Sequence, residues 1–187
     1  ARDLGFDRSM VAGYGHDDRV CAYTSLRAIL DLKETPTKTV CCALVDKEEV
    51  GSIGATGMQS RFFENAVAEL MDRVGEYSEL KLRRALANSK MLSSDVTAAF
   101  DPNYAGAYEK KNSAFFGKGL AFAKYTGARG KSGCNDANAE FVAWLRNVMD
   151  ESDVSYQMAE LGKVDQGGGG TIAYILAEYG MEVIDCG

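Results

Sequence analysis

The stretch ALVDKEEVGSIGATGMQS, residues 43–60, delivers Asp46 and the adjacent pair Glu48 and Glu49 into a glycine-rich loop. Neighbouring side chains cannot face solvent in the same way, so one acid of the pair must look elsewhere. Two readings stand: a strand terminus with solvated charges, or a site where two carboxylates have two jobs. Other acids also fall just beyond predicted strands: Asp17 and Asp18 after 10–15, Asp95 at the end of 90–96, and Asp165 after 155–162. If these loops share one edge of a parallel sheet, their charges repel unless protons or cations neutralise them. A pair of divalent metals a few ångströms apart is the usual solution. The plainer alternative is that acids after strands cap helix N-termini, which Asp17 and Asp18 can do.

The elements that must position these acids alternate in type. Strand patterns are expected at 10–15, 37–45, 90–96, 117–126, 155–162 and 181–186, with 37–45 (TKTVCCALV) reading as a buried strand. Helical spacing of apolar residues appears at 17–33, 60–74, 136–151 and 169–179. Strands alternating with helices predict an α/β sheet with helices on its faces. In such sheets ligands gather in loops beyond the carboxyl ends of the strands.

Composition bounds the function. The chain has 187 residues, 46 % of them hydrophobic and 26 % charged, as expected of one soluble globular domain. No apolar run reaches the roughly 20 residues of a membrane span, so no membrane partner is expected. The net charge of −6 argues against nucleic acid as the main partner. Five cysteines without a CxxC pair suggest reduced thiols and a cytoplasmic setting. The one histidine is His16, the first residue is Ala1, and MEVIDCG closes the chain where a strand should hand over to a loop. The expectation is part of a longer protein.

Four motifs, GYGHDDR, DKEEVGSIGATGMQS, SSDVTAAFDPNY and GKVDQGGGGTIA, occur in the order and at roughly the spacing of the aspartyl aminopeptidase family. The chain resembles these dinuclear zinc peptidases, which include the vacuolar aminopeptidases, over essentially its whole length. The resemblance implies a three-layer α/β fold of the zinc-peptidase, phosphorylase/hydrolase-like kind. It also implies two divalent ions, zinc first, with cobalt and manganese able to occupy comparable sites, and removal of N-terminal acidic or neutral residues from peptide substrates. Asp17 matches the aspartate that bridges the metals, followed by a bond that is commonly cis. Glu48 matches the general base that takes a proton from the water between the metals, Glu49 a ligand of one metal, and Asp95 a ligand of the other. On that reading one glutamate faces a metal and its neighbour faces the water. The glycine-rich turn matches the substrate-pocket loop, with Gly168 and Gly169 letting backbone approach substrate and Lys163 meeting an acidic side chain. A large homo-oligomer is implied as well.

The chain departs from the family pattern in two ways. Two metal-binding histidines have no counterpart, since His16 occupies a position that is not a ligand. The chain is therefore expected to be the distal part of a catalytic domain, without the inserted second domain and the N-terminal segment. Taken by itself it should bind zinc weakly and show little activity. Ala98 and Asp101 stand where many aspartyl aminopeptidases carry histidines around the DPNY element, which speaks against a strict preference for acidic first residues and leaves a neutral preference, as in the vacuolar relatives, open. Two competing readings remain. Residues 110–131, with six basic residues, no acid and interleaved Phe115, Phe116, Phe122 and Tyr125, could form a nucleic-acid- or anion-binding module. GGGGTIA leads a glycine loop into a helix but lacks the flanking signature of a nucleotide site.

Overall fold

A central strand, Glu182–Cys186, organises the computed structural model, which describes residues 1–128, 132–163, 165–169 and 171–187. In chain order the elements are β1 (Arg2–Leu4), β2 (Met10–Ala12), α1 (His16–Leu30), α2 (Phe62–Arg73), α3 (Glu79–Ala87), β3 (Lys90–Ser94), β4 (Leu120–Ala123), β5 (Tyr125–Ala128), β6 (Ser132–Asp136), α4 (Ala139–Glu151), β7 (Tyr156–Met158), α5 (Ala173–Ala177) and β8 (Glu182–Cys186). The main sheet has the order β3-β8-β4-β7. β8 pairs parallel with β3, from Lys90↔Glu182 to Ser94↔Cys186, and antiparallel with β4. β4 pairs parallel with β7. The sheet is thus mixed, and parallel where β3 and β8 end side by side.

Alternation along β8 creates the layers. Successive side chains on a strand point to opposite faces. Val183 joins Leu82 and Leu86 of α3 and Ile175 and Leu176 of α5, with Phe63 and Val67 of α2 packed alongside. Ile184 and Cys186 face the other way, onto Phe141 and Leu145 of α4 and Phe122 of β4. Ile184 is 0 % exposed. Helices therefore cover both faces, as the alternation of elements implied.

Several boundaries differ from the sequence pattern. The run 37–45 is no strand: among the described residues it has no strand partner, Val40 is 45 % exposed, and Cys41 and Leu44 are exposed too. Only Val45 packs against the core. β-Branched residues record how well a side chain suits a pleated surface, not whether a neighbouring edge exists. The strand at 10–15 is shorter and pairs with β1 in a separate antiparallel hairpin. The single strand expected at 117–126 breaks at Lys124, and β5 leaves the main sheet to pair with β6. α3 was not expected, although Ser78 accepts the Lys81 N–H at 3.2 Å as an N-cap and Leu82 and Leu86 share one buried face, both readable signals.

The basic and aromatic segment 110–131 is tied into the fold. Phe122 is core, and Phe115 packs on Phe100, which also meets Tyr108 and carries the Lys110 ammonium over its ring. Of the aromatics that interleave with its basic residues, Phe116 is the most exposed, at 77 %. Residues 129–131 lie outside the described residues.

Candidate metal centre and active site

Three carboxylates converge where α1 meets the end of β3. One ligand atom each from Asp17, Asp18 and Asp95 lies within 4.8 Å of the others. Asp17 and Asp18 open α1 with extended rather than helical backbone, and the peptide bond between them is cis. Asp18 Oδ1 accepts the Cys21 N–H at 3.2 Å, so this acid also serves the capping role that the pattern allowed. Asp95 follows β3 directly, and its N–H donates to the Cys186 carbonyl at 3.1 Å, which ties its backbone to the end of β8. The parallel register of β3 and β8 is what brings these two strand ends side by side.

Glu48 enters from a one-turn 3-10 helix, Glu48–Val50. It is half-buried, and desolvation, followed by the charges of Glu49, Asp17 and Asp18, raises its pKa. Those neighbours place Glu48 beside the three aspartates. Glu49 is exposed and is not one of the three clustered acids. Burial pushes the Asp95 carboxyl up to about 7, with Asp185, Glu48, Asp17 and Asp18 adding repulsion. Asp185, 6 % exposed one residue from the end of β8, is likewise pushed up to about 7, chiefly by burial, while the Ser93 and Thr171 hydroxyls oppose the shift.

The sequence pattern put Asp18 among the acids beyond strands without giving it a role of its own, and Asp185 went unnoticed. The signal for Asp185 was present, because an aspartate inside the otherwise apolar VIDC needs a reason to be buried. His16 and Asp165 are exposed and lie outside the acid cluster.

The cluster fits a divalent cation. Among the described residues none of the three aspartates forms an ion pair, so no cationic side chain of those residues in contact with them offsets their mutual repulsion. Oxygen donors at this spacing suit a small divalent metal, with zinc accepting carboxylate alongside nitrogen ligands.

The glycine-rich turn is built for close backbone contact. The Lys163 N–H donates to the Ala107 carbonyl at 2.9 Å, and Lys163 is half-buried. Gly168 (φ 100°) lies so near β5 that a Cβ would sit 2.5 Å from the Gly127 carbonyl oxygen. The Gly169 carbonyl accepts the Gly127 N–H at 3.2 Å. Gly168 is required first by the packing of the turn on β5, whereas a Cβ on Gly169 would meet the Leu161 side chain at 2.7 Å. Val164 and Gly170 of this motif lie outside the described residues.

A three-layer α/β scaffold with acids clustered beside parallel strand ends is of the kind that metal-dependent hydrolases use. Residues 1–187 match the family described as Aminopeptidase I zinc metalloprotease (M18), and the chain belongs to that family. It is 70 % identical over 187 residues to the "Probable M18 family aminopeptidase 1" of Clostridium acetobutylicum, covering 100 % of this chain and 40 % of that protein. The crystal structure of the M18-family aminopeptidase from Thermotoga maritima shares 47 % identity and a TM-score of 0.91, over 100 % of this chain and 41 % of that one. A likeness of fold alone extends to the S. cerevesiae mApe1 dodecamer, at 22 % identity and a TM-score of 0.69, over 95 % of this chain and 41 % of that one. The chain thus spans about 40 % of the length of the relatives it matches. Among the described residues no helix is long and apolar enough to cross a membrane.

Proposed function

We propose that this chain is the distal part of the catalytic domain of a metal-dependent aminopeptidase that removes N-terminal residues from peptides. The observation that carries the reading is the convergence of Asp17, Asp18 and Asp95 with Glu48 beside them, in a chain of a zinc metalloprotease family. Asp17, Glu49 and Asp95 would hold two divalent ions, zinc first, with further ligands from outside this chain. What the metal supplies when bound is Lewis acidity, which polarises a carbonyl and makes water a proton donor near neutral pH.

The chain's own part is proton transfer and orientation. Glu48, half-buried and raised in pKa first by desolvation and then by its acidic neighbours, takes the proton from the attacking water and passes it to the leaving amine. Asp185, behind Asp95, adds negative charge that favours cation binding at the neighbouring carboxylate. Lys163 presents a cation to the first side chain of the substrate. Ala98 and Asp101, in place of histidines, favour tolerance of neutral first residues. The wider enzyme is read as a large homo-oligomer, in keeping with the dodecamer that shares the fold, and as cytoplasmic, in keeping with its free cysteines.

The test is hydrolysis of aspartyl, glutamyl and leucyl chromogenic substrates by the full-length zinc-loaded enzyme carrying this chain, beside its Glu48→Gln variant. Activity lost in the variant supports the base role. Retained activity would sink it, and a preference for leucyl substrates would remove the role given to Lys163.

A further inference from the structure

The turn that carries Glu48 is not one the backbone adopts cheaply. Lys47 (φ 66°) and Ser52 (φ 59°) both occupy the left-handed region, which costs a non-glycine residue of the order of 1 kcal/mol or more. Such a turn persists only if its surroundings over-determine it. Ser52 donates its N–H to the Lys47 carbonyl at 2.7 Å, and Gln59 donates its own N–H to the Ser52 carbonyl at 3.1 Å. Gly57 presses so closely on that segment that a Cβ would lie 2.3 Å from the Ser52 carbonyl oxygen.

The side chain of Gln59 closes the arrangement. Its Nε2 donates to the Gly51 carbonyl at 2.9 Å and to the Tyr174 hydroxyl at 2.8 Å. A primary amide has two N–H donors, and both are spent here on two elements far apart in sequence. Tyr174 belongs to α5, packs at the border of the core that holds Ile175 and Leu176, and lays its ring on Gly133 of β6, where a Cβ would come within 3.2 Å. Through Gln59, the end of the Glu48 turn is pinned to α5, beside the core that holds Ile175 and Leu176.

We propose that Gln59 is a positioning residue: by bridging the Gly51 carbonyl and the Tyr174 hydroxyl it holds Glu48 in register with the aspartate cluster. The proposal rests on the base role given to Glu48. A general base acts only within hydrogen-bond reach of its proton, and a displacement of about 1 Å can cost on the order of a hundredfold in rate. Nothing else in Gln59 calls for this geometry, since its side chain is exposed.

Two variants and two readouts test it, in the full-length enzyme carrying this chain. Gln59→Leu removes both donors, and Tyr174→Phe removes one acceptor while keeping the ring. In the metal-free protein, amide exchange at Gly51 and Ser52 should speed up about fivefold in Gln59→Leu, with Val183 and Ile184 unchanged. In the zinc-loaded protein kcat should fall about tenfold in Gln59→Leu and less in Tyr174→Phe, with KM nearly constant. On a Glu48→Gln background, Gln59→Leu should add almost nothing to the loss, because both changes act through one group. Unchanged exchange would overturn the clamp. Faster exchange with unchanged kcat, or a full additional loss on the Glu48→Gln background, would overturn its role in positioning the base. An unsubstituted enzyme that hydrolyses no substrate would count against the peptidase reading instead, and the exchange arm would still decide the clamp.

Discussion

Residues 1–60 and residues 79–187 divide the work unequally. In the first region Cys21, Ser52, Gly57 and Met58 are the only buried residues, and apolar side chains such as Phe6, Val11, Leu30 and Leu44 face solvent. Yet that region supplies Asp17, Asp18 and Glu48. The second region holds nearly all of the core and contributes Asp95 and Asp185 from adjacent strand ends. On the proposed reading, chemistry is carried on segments with little packing of their own and is held in place by a well-packed sheet, the usual division between loops and scaffold. The difference teaches that the first region depends on a few specific ties, such as the Gln59 bridge and the Asp18 cap, where the second depends on buried area.

That contrast can be broken or sharpened by measurement. The largest stability effect belongs to the sheet: Phe141→Ala, at a residue 2 % exposed between β8 and α4, should cost about 3–5 kcal/mol in denaturant unfolding. A loss below about 1 kcal/mol would mean that the α4 layer is not the core described here. The largest effect on activity belongs to the other region. Glu48→Gln should lower kcat of the full-length enzyme by about 10²–10⁴-fold while zinc content, measured by atomic absorption, stays unchanged.

A pH effect of intermediate size links the two. Burial raises Asp95, Asp185 and Glu160 to about 7 from ordinary values of 3.8, 3.8 and 4.5. In the window between those values and 7 the folded chain binds protons that the unfolded chain has released, so stability falls as pH rises. Thermal unfolding of the metal-free protein should therefore show a midpoint that declines from about pH 4 to pH 7. Glu160, whose Oε2 is buried without a partner among the described residues, accounts for part of that slope, and Glu160→Gln should flatten it. An unchanged slope would remove Glu160 from the account. The smallest effect is expected at Leu44→Ala, an exposed residue of the unpaired run 37–45, which should change stability by under about 0.5 kcal/mol. A cost of 2 kcal/mol or more would show that this run is covered in solution.

Much of the second region was legible in the sequence because its elements carry strong local patterns. Phe141 and Leu145 recur at helical spacing in α4, and MEVIDC reads as a strand whose alternate residues do separate into two cores. The cluster was legible in part: Asp17, Glu48 and Asp95 stand out as acids after apolar runs. Asp18 was counted with these acids but given no role, because it also looks like an ordinary cap, which it is. Asp185 was passed over, since it shows its importance only once β8 is known to lie between β3 and β4. The run 37–45 misled because composition reveals preference but not partnership, and α3 was missed because its charged residues mask the Leu82–Leu86 pair.

The pairing of Lys90 with Glu182 also has a consequence for the order of assembly. β3 leaves the ribosome long before β8, yet among the described strands β8 is its partner, and the Asp95 amide stays without its acceptor until Cys186 arrives. Contacts of such long sequence separation form late, after the entropy of loop closure has been met. The acid cluster should accordingly be among the last features of this chain to take shape during synthesis. The nascent chain would then hold no organised metal-binding acids until the strand that secures them has been translated.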